Sequence, residues 1–169
     1  DLKNKLRDID GKLEVDIKII WTDMKKIYEE IVKENKRIRE LKARGSAKDQ
    51  RSLVHAGEMV ATALEEKKAV EGEEYLRPLK KVAKDFVETE PKGDEMVTHA
   101  AFLVEKGWLK EFDRVVEEMG NEFKDRIRIH YTGPMAPFSF VNLALHWEAS
   151  EGQAYGTKAR TLGLLRDRK

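Results

Sequence analysis

Four histidines are the side chains of this sequence best suited to proton transfer or metal binding. They stand far apart in the chain, at His55, His99, His130 and His146. His130 and His146 flank a Gly-Pro turn and could approach one another, and Glu148 is the one nearby carboxylate that could complete a three-ligand zinc site. His99 lies in an apolar segment, where a hydrogen-bonded core histidine is the usual case. We therefore interpret the histidines as ordinary strand, helix and core residues, and predict no metal site.

The sequence also lacks the motifs that carry catalysis or bind cofactors. None of its 169 residues is a cysteine, so it has no thiolate nucleophile and no cysteine-ligated metal. It contains no glycine-rich phosphate loop, no G-x-S-x-G nucleophile motif and no H-E-x-x-H zinc motif. Carboxylates are plentiful, but on helices such residues usually form a solvated face. We predict a protein that is not an enzyme and that needs no cofactor.

One segment, Tyr131–Val141, combines backbone-fixing residues with large apolar side chains. Two prolines and a glycine restrict the backbone, and phenylalanines follow directly. The segment is either a rigid corner whose aromatic rings pack under the helices, or an apolar loop presented to a partner protein. Both interpretations are open from the residues alone, and Phe138 is the side chain that we expect to be exposed in the second. The candidate partner-binding residues are Gly133, Pro134, Pro137, Phe138 and Phe140.

Two hydrophobic periods divide the first half of the chain into elements that could position this segment. Period-two alternation predicts a strand over Leu13–Trp21. Helical spacing then predicts a helix over Met24–Leu41 and helical segments over Leu53–Phe86. Pro78 favours a kink or a fresh helix start within the latter. The Pro91–Asp94 segment has the composition of a turn.

The second half repeats the same alternation of periods. An almost unbroken apolar run predicts a central strand over Met96–Val104. Trp108–Met119 has the pattern of an amphipathic helix that ends at Gly120. Ile127–Tyr131 predicts another strand, and Phe140–Trp147 a further one.

The resulting order is β-α-α-β-α-β with a closing fourth strand, which predicts an α+β two-layer sandwich as a variant of the ferredoxin-like fold. We assign residues 12–150 to this domain. Residues 1–11 are expected to be a helix that leads in from a missing N-terminal domain. Residues 151–169 are expected to be a basic, poorly ordered tail.

Overall charge narrows the choice of partner. Lysine and arginine number 33 against 32 acidic residues, which leaves a formal net charge of +1 although 38% of residues are charged. Such a balance provides no long-range field that would attract nucleic acid or an anionic membrane. The interspersed charges are typical of a solvated surface of helical ion pairs.

Three blocks of the sequence resemble the GvpF/GvpL family of gas vesicle proteins, in the family's order. Ile129–Val141 resembles a C-terminal signature that reads roughly tGPxPPysFv, and Met96–Lys106 resembles a block that reads roughly lNaAFLVxr. Leu13–Trp21 resembles a strand of the family through Glu14, Lys18 and Trp21. The similarity extends from about Gly11 to Trp147.

This sequence departs from the family pattern at three positions within those blocks. His99 stands where asparagine is usual, Ala136 where the first of two prolines is common, and Phe138 where tyrosine is usual. The last change removes a hydroxyl group, which argues against a chemical role for that ring.

The resemblance implies an accessory protein of gas vesicle assembly, cytoplasmic and associated with gas vesicles, that is not a catalyst. It implies two kinds of partner, the small apolar gas vesicle shell protein and other gas vesicle accessory proteins. The alternative is a ferredoxin-like module for small-molecule binding, regulation or oligomerisation. That alternative rests on fold analogy, and a deep polar pocket between helix and sheet would favour it.

Overall fold

A computed structural model of the chain describes residues 9–43 and 50–141, which form one four-stranded sheet and four helices. The strands are β1 (Lys12–Trp21), β2 (Asp85–Thr89), β3 (Met96–Glu105) and β4 (Ile127–Met135). The helices are α1 (Met24–Glu34), α2 (Lys36–Ala43), α3 (Gln50–Val82) and α4 (Leu109–Glu122). Short 3-10 turns cover Lys106–Trp108 and Phe138–Phe140.

The sheet is antiparallel throughout, with the strand order β2-β3-β1-β4. Helices α1 to α3 connect β1 to β2, and α4 connects β3 to β4. If α1 to α3 are counted as one helical connection, this is the β-α-β-β-α-β arrangement of the ferredoxin-like fold. The predicted α+β class and its ferredoxin-like variant are therefore confirmed.

Alternation along β1 separates the two faces of the sheet. Val15, Ile17 and Ile19 are fully buried in the core that the sheet shares with the helices. In that core the ring of Phe102 on β3 lies 5.3 Å from the ring of Phe112 on α4, measured between centroids. Burying each such large apolar side chain contributes about 1.5–3 kcal/mol.

The second face of the sheet carries the intervening, polar side chains of β1. Glu14, Asp16 and Lys18 belong to this face because successive strand residues point to opposite sides. Asp16 Oδ1 lies 2.7 Å from His99 Nε2 on β3. The expectation that His99 lies in the core is thus wrong, because the side chain is partly exposed on the polar face. The expected hydrogen-bond partner is present, and it is Asp16.

The short strand β2 was missed by sequence reasoning, which extended the preceding helix through Phe86. The helix ends at Val82, and all five residues of β2 are exposed. Since all five residues are exposed and the apolar Phe86 and Val87 are adjacent, β2 shows no apolar-polar alternation that would reveal it. The backbone N–H of Lys84 donates to the carbonyl of Leu103, at 2.8 Å, where the chain joins the sheet.

The helix predicted over Met24–Leu41 is divided in two at Asn35. The Asn35 backbone is extended, and its N–H donates to the carbonyl of Ile31, which ends α1. Its side-chain oxygen accepts from the N–H of Ile38, at 3.3 Å, which caps α2. A single asparagine inside an uninterrupted apolar period does not reveal such a break.

Two other helix boundaries bear on the predictions. α3 continues through Pro78 as one helix of 33 residues, so of the two alternatives predicted there, a kink or a fresh start, the fresh start does not occur. α4 continues past Gly120 to Glu122, and the Cα of Gly120 faces Ile129 of β4 at a distance that leaves room for little more than a methyl group. The glycine therefore marks a close helix–sheet contact instead of a helix end.

Other predictions concern residues outside the described ranges. Of the strand predicted over Phe140–Trp147, Phe140 lies in a 3-10 turn and residues 142–147 are not described. Most of residues 1–11 and all of residues 151–169 are also not described. The leading helix and the basic tail assigned to them therefore stay predictions. None of the helices within residues 9–43 and 50–141 has the length and apolarity to cross a membrane.

Candidate functional site: the corner after strand β4

The segment singled out by the sequence forms the end of β4 and the turn after it, and we call Gly133–Phe140 the corner. β4 runs antiparallel to β1, and the register shifts between Glu14 and Asp16, where Glu14 pairs with Met135 and Asp16 with Thr132. Between these two pairs β4 therefore has one residue more than β1, as in a β-bulge.

Gly133 makes the register shift possible. Its φ is +128°, and a Cβ built on it would lie 2.8 Å from the backbone oxygen of Glu14. An L-amino acid side chain would thus be strained by the backbone and would clash with β1. The peptide bond between Gly133 and Pro134 is cis.

Beyond β4 the chain turns through Pro137 into the 3-10 turn Phe138–Phe140. Its backbone bonds run from the N–H of Phe140 to the carbonyl of Pro137, at 3.2 Å, and from the N–H of Val141 to that of Phe138, at 3.3 Å. Phe138 is 75% exposed, whereas Phe140 is partly buried. The exposure expected of Phe138 is therefore observed, and its role in binding stays a prediction.

Phe138 is also the most exposed large hydrophobic side chain among the described residues. The next are Val70 on α3 and other side chains scattered over α3, β2 and the turn before α4. Isolated apolar side chains on a surface are ordinary. Phe138 differs because the backbone on both sides of it is fixed.

A buried carboxylate of β1 holds the corner. Glu14 is only 4% exposed, and it accepts two hydrogen bonds from Ser139, from the backbone N–H at 2.8 Å and from the hydroxyl at 2.6 Å. Hydrogen bonds to an ionised acceptor are roughly twice as strong as neutral ones. Sequence reasoning did not assign Glu14 this role, because its position in an alternating strand looks the same as that of Asp16 or Lys18.

A second polar cluster, also missed from the sequence, ties α1 and α3 to the end of the sheet where β1 ends and β4 begins. Arg126, in the turn before β4, donates to Glu30 of α1 at 2.8 and 2.9 Å and to Glu71 of α3 at 2.5 and 3.0 Å. Trp21 Nε1 and the Tyr75 hydroxyl donate to the same Glu71 oxygen, at 2.8 and 2.9 Å. We call Glu30, Glu71 and Arg126 the carboxylate–arginine cluster.

The cluster keeps its carboxylates ionised. Hydrogen bonds from Arg126 lower the pKa of Glu30 to about 2. Burial would raise the pKa of Glu71, but the hydrogen bonds from Arg126, Trp21 and Tyr75 outweigh it and the pKa is lowered. A general acid or base needs a pKa near the working pH. These carboxylates are held away from that range, so the cluster is suited to joining elements and not to proton transfer.

Metal ligation has no support in the described part of the chain, where no group of three histidine, cysteine or acidic side chains could hold an ion. His130 is exposed on β4, and the two possible co-ligands, His146 and Glu148, lie outside the described residues.

Two clefts of the described residues lie near the lower limit of ligand-pocket size. A cleft between α3 and the β2–β3 hairpin has a volume of about 270 Å³, and one between α1 and α3 about 330 Å³. Ligand pockets usually measure about 300–1,000 Å³ and are largely apolar. The first cleft lies between helix and sheet but is small, and charged side chains such as Glu65, Lys68 and Glu88 line it.

Comparison with known proteins points to a single family. The family described as "Gas vesicle synthesis protein GvpL/GvpF" matches residues 1–142. Gas vesicle protein F of Microcystis aeruginosa (strain PCC 7806) is 29% identical over 144 residues, which are 84% of this chain and 59% of that protein. Gas vesicle protein F of Nostoc sp. (strain PCC 7120) is 26% identical over 147 residues, covering 85% and 59%.

Solved structures agree with the fold. The crystal structure of GvpF from Anabaena sp. PCC7120 superposes with a TM-score of 0.75 at 24% identity, over 85% of this chain and 59% of that chain. GvpF from Microcystis aeruginosa gives a TM-score of 0.69 at 26% identity, over 82% and 58%. The chain thus spans a little under three fifths of the length of these relatives.

Proposed function

Because the chain belongs to the GvpL/GvpF family of gas vesicle synthesis proteins, we propose that it is an accessory protein of gas vesicle assembly that binds the small apolar shell protein. Other accessory proteins are further partners in this proposal, and the site of action is the cytoplasm, at the forming gas vesicle. Its family is one of gas vesicle proteins and not a known family of enzymes.

The observation that carries the proposal is the exposure of Phe138 on a corner whose backbone is fixed. An apolar shell subunit must have its hydrophobic surface covered until it enters the wall. An exposed aromatic ring on a rigid support can contribute binding energy without a large loss of conformational freedom. Gly133, Pro134, Pro137 and Phe140 form the support, and Phe138 is the contact.

The proposal predicts that Phe138→Ala weakens capture of the shell protein without loss of stability. Burying a phenylalanine side chain is worth about 1.5–3 kcal/mol, which corresponds to at least about a tenfold change in affinity. Because the ring is 75% exposed in the free protein, the melting temperature should stay nearly unchanged. Affinity capture of tagged shell protein and thermal unfolding measure the two quantities on the same variant.

Trp108→Ala is the matched control, since Trp108 is another exposed aromatic residue, 53% exposed in the turn before α4. It should leave both capture and stability unchanged. A loss of about 3–5 kcal/mol in Phe138→Ala, as for a buried aromatic residue, would remove Phe138 as a contact. Equal loss of capture in both variants would show that the interaction is not specific to the corner.

A further inference from the structure

The carboxylate of Glu14 has a role that goes beyond closing a turn. Val15 and Ile17 are core residues, so the Glu14 side chain belongs to the second face of the sheet. In the antiparallel pairing of β1 with β3, Glu14 lies opposite Leu103. Both of its oxygens accept hydrogen bonds from Ser139. One residue of β1 therefore fixes one residue of the corner, 125 positions away in the chain.

Ser139 follows Phe138 directly, and its backbone N–H is not used by the 3-10 turn. The turn bonds are donated by Phe138, Phe140 and Val141. The N–H of Ser139 donates to Glu14 instead, at 2.8 Å. Without that acceptor, the backbone around Phe138 would be restricted by the bond from its own N–H to the carbonyl of Ala136, at 2.8 Å, by the longer turn bonds of 3.2 and 3.3 Å, and by the two prolines.

Burying a carboxylate next to Leu103 costs more free energy than burying an apolar side chain there. Taking a carboxylate out of water carries a large penalty, and an apolar residue of similar volume often stabilises such a site as well or better. Packing alone therefore does not account for a glutamate at position 14. The two hydrogen bonds to Ser139 are what a leucine could not make.

We propose that Glu14 is the positioning residue of the corner: its carboxylate anchors Ser139 and so holds Phe138 in the exposed orientation in which it meets an apolar partner. This inference rests on the proposed function for the identity of that partner, the shell subunit. The anchoring itself is independent of any partner. In this proposal Phe138 contacts the shell subunit, and Glu14 acts through Ser139.

The test uses Glu14→Leu, which keeps the volume and removes both acceptors, and Glu14→Gln, which keeps one carbonyl acceptor. Asp16→Asn is the matched control, because Asp16 is the next carboxylate on the same face of β1 and pairs with His99 instead of the corner. Amide hydrogen exchange of Ser139, capture of shell protein and the melting temperature are measured on each.

We expect faster exchange of the Ser139 amide in Glu14→Leu, an intermediate effect in Glu14→Gln and none in Asp16→Asn. Capture should weaken about tenfold in Glu14→Leu if the anchored conformation falls to about a tenth of the population. The melting temperature should stay near that of the wild type, so that the weaker capture is not explained by unfolding. In a Phe138→Ala background, Glu14→Leu should have no further effect on capture, because the two residues act as a unit.

Unchanged exchange at Ser139 in Glu14→Leu would overturn the inference, and so would fast exchange with full capture. Wild-type protein that captures no shell subunit would contradict the proposed function, and hydrogen exchange would still decide whether Glu14 anchors the corner. Loss of capture that follows a fall in melting temperature, in Glu14→Leu and Glu14→Gln alike, would reduce Glu14 to a structural residue.

Discussion

At the scale of single residues, two buried or half-buried carboxylates do different work in this protein. Glu14 accepts hydrogen bonds from a neutral serine and fixes the corner. Glu71 accepts from Arg126, Trp21 and Tyr75 and joins α3 to the sheet. Sequence reasoning could not separate these from the many solvated glutamates, because burial depends on contacts between residues far apart in the chain.

The carboxylate–arginine cluster makes stability depend on pH in a defined window. Glu30 has a pKa of about 2 in the folded protein against an ordinary value of 4.5. A lowered pKa contributes stability that is present above 4.5 and is lost as the pH falls towards 2. Between these values unfolding takes up a proton at Glu30, so the free energy of unfolding should fall steeply with decreasing pH.

Glu30→Gln removes that proton uptake. Urea unfolding between pH 7 and pH 2 should show a lower free energy of unfolding at neutral pH. Below pH 4.5 that free energy should decline less steeply with pH, because about one proton fewer is taken up on unfolding. Glu29→Gln, at an exposed position on the same helix, should follow the wild type. An identical slope in Glu30→Gln and wild type would contradict the assignment of the cluster.

At the scale of elements, the sequence predicted those with a buried face and missed those without one. β1, β3 and α4 have one or two buried faces, and their periods located them to within a few residues. β2 is an exposed edge strand without a pattern. The break at Asn35 depends on one residue whose backbone N–H ends α1 and whose side chain caps α2. Hydrophobic periodicity reports which residues are buried, so it does not detect elements whose bounds are set by local hydrogen bonds.

The junction of β1 and β4 depends on the absence of a side chain at Gly133. Gly133→Ala should cost about 2 kcal/mol or more, because the positive φ is unfavourable for alanine and its Cβ would meet the backbone of Glu14. Chemical unfolding measures the cost. The same variant should lose shell-protein capture, because the corner shifts with the end of β4.

Gly57→Ala is the control for this substitution. Gly57 lies in α3 with nothing within 4 Å of a built Cβ, and alanine is the better helix former there by about 0.5–1 kcal/mol. It should stabilise the protein and leave capture unchanged. Equal effects of the two substitutions would show that the register shift at Gly133 does not constrain the strand.

At the scale of the whole molecule, the fold is a ferredoxin-like sandwich with near-neutral, heavily charged composition, and Phe138 is exposed on a fixed corner. The family resemblance and the corner could be found from the sequence, because the Gly-Pro pattern and the apolar blocks are local. The anchor at Glu14 could not, because it joins residues of β1 and the corner that only the folded sheet brings together.

The central claim is that the chain keeps the apolar shell subunit dispersed through its corner. The most direct measurement dilutes denatured shell protein into buffer with an equimolar amount of this protein and determines the shell protein that stays in the supernatant after centrifugation. The account predicts retention with the wild type and with Trp108→Ala, and sedimentation with Phe138→Ala. Shell protein that sediments equally with and without the wild type, or that Phe138→Ala retains as well as the wild type does, would contradict it.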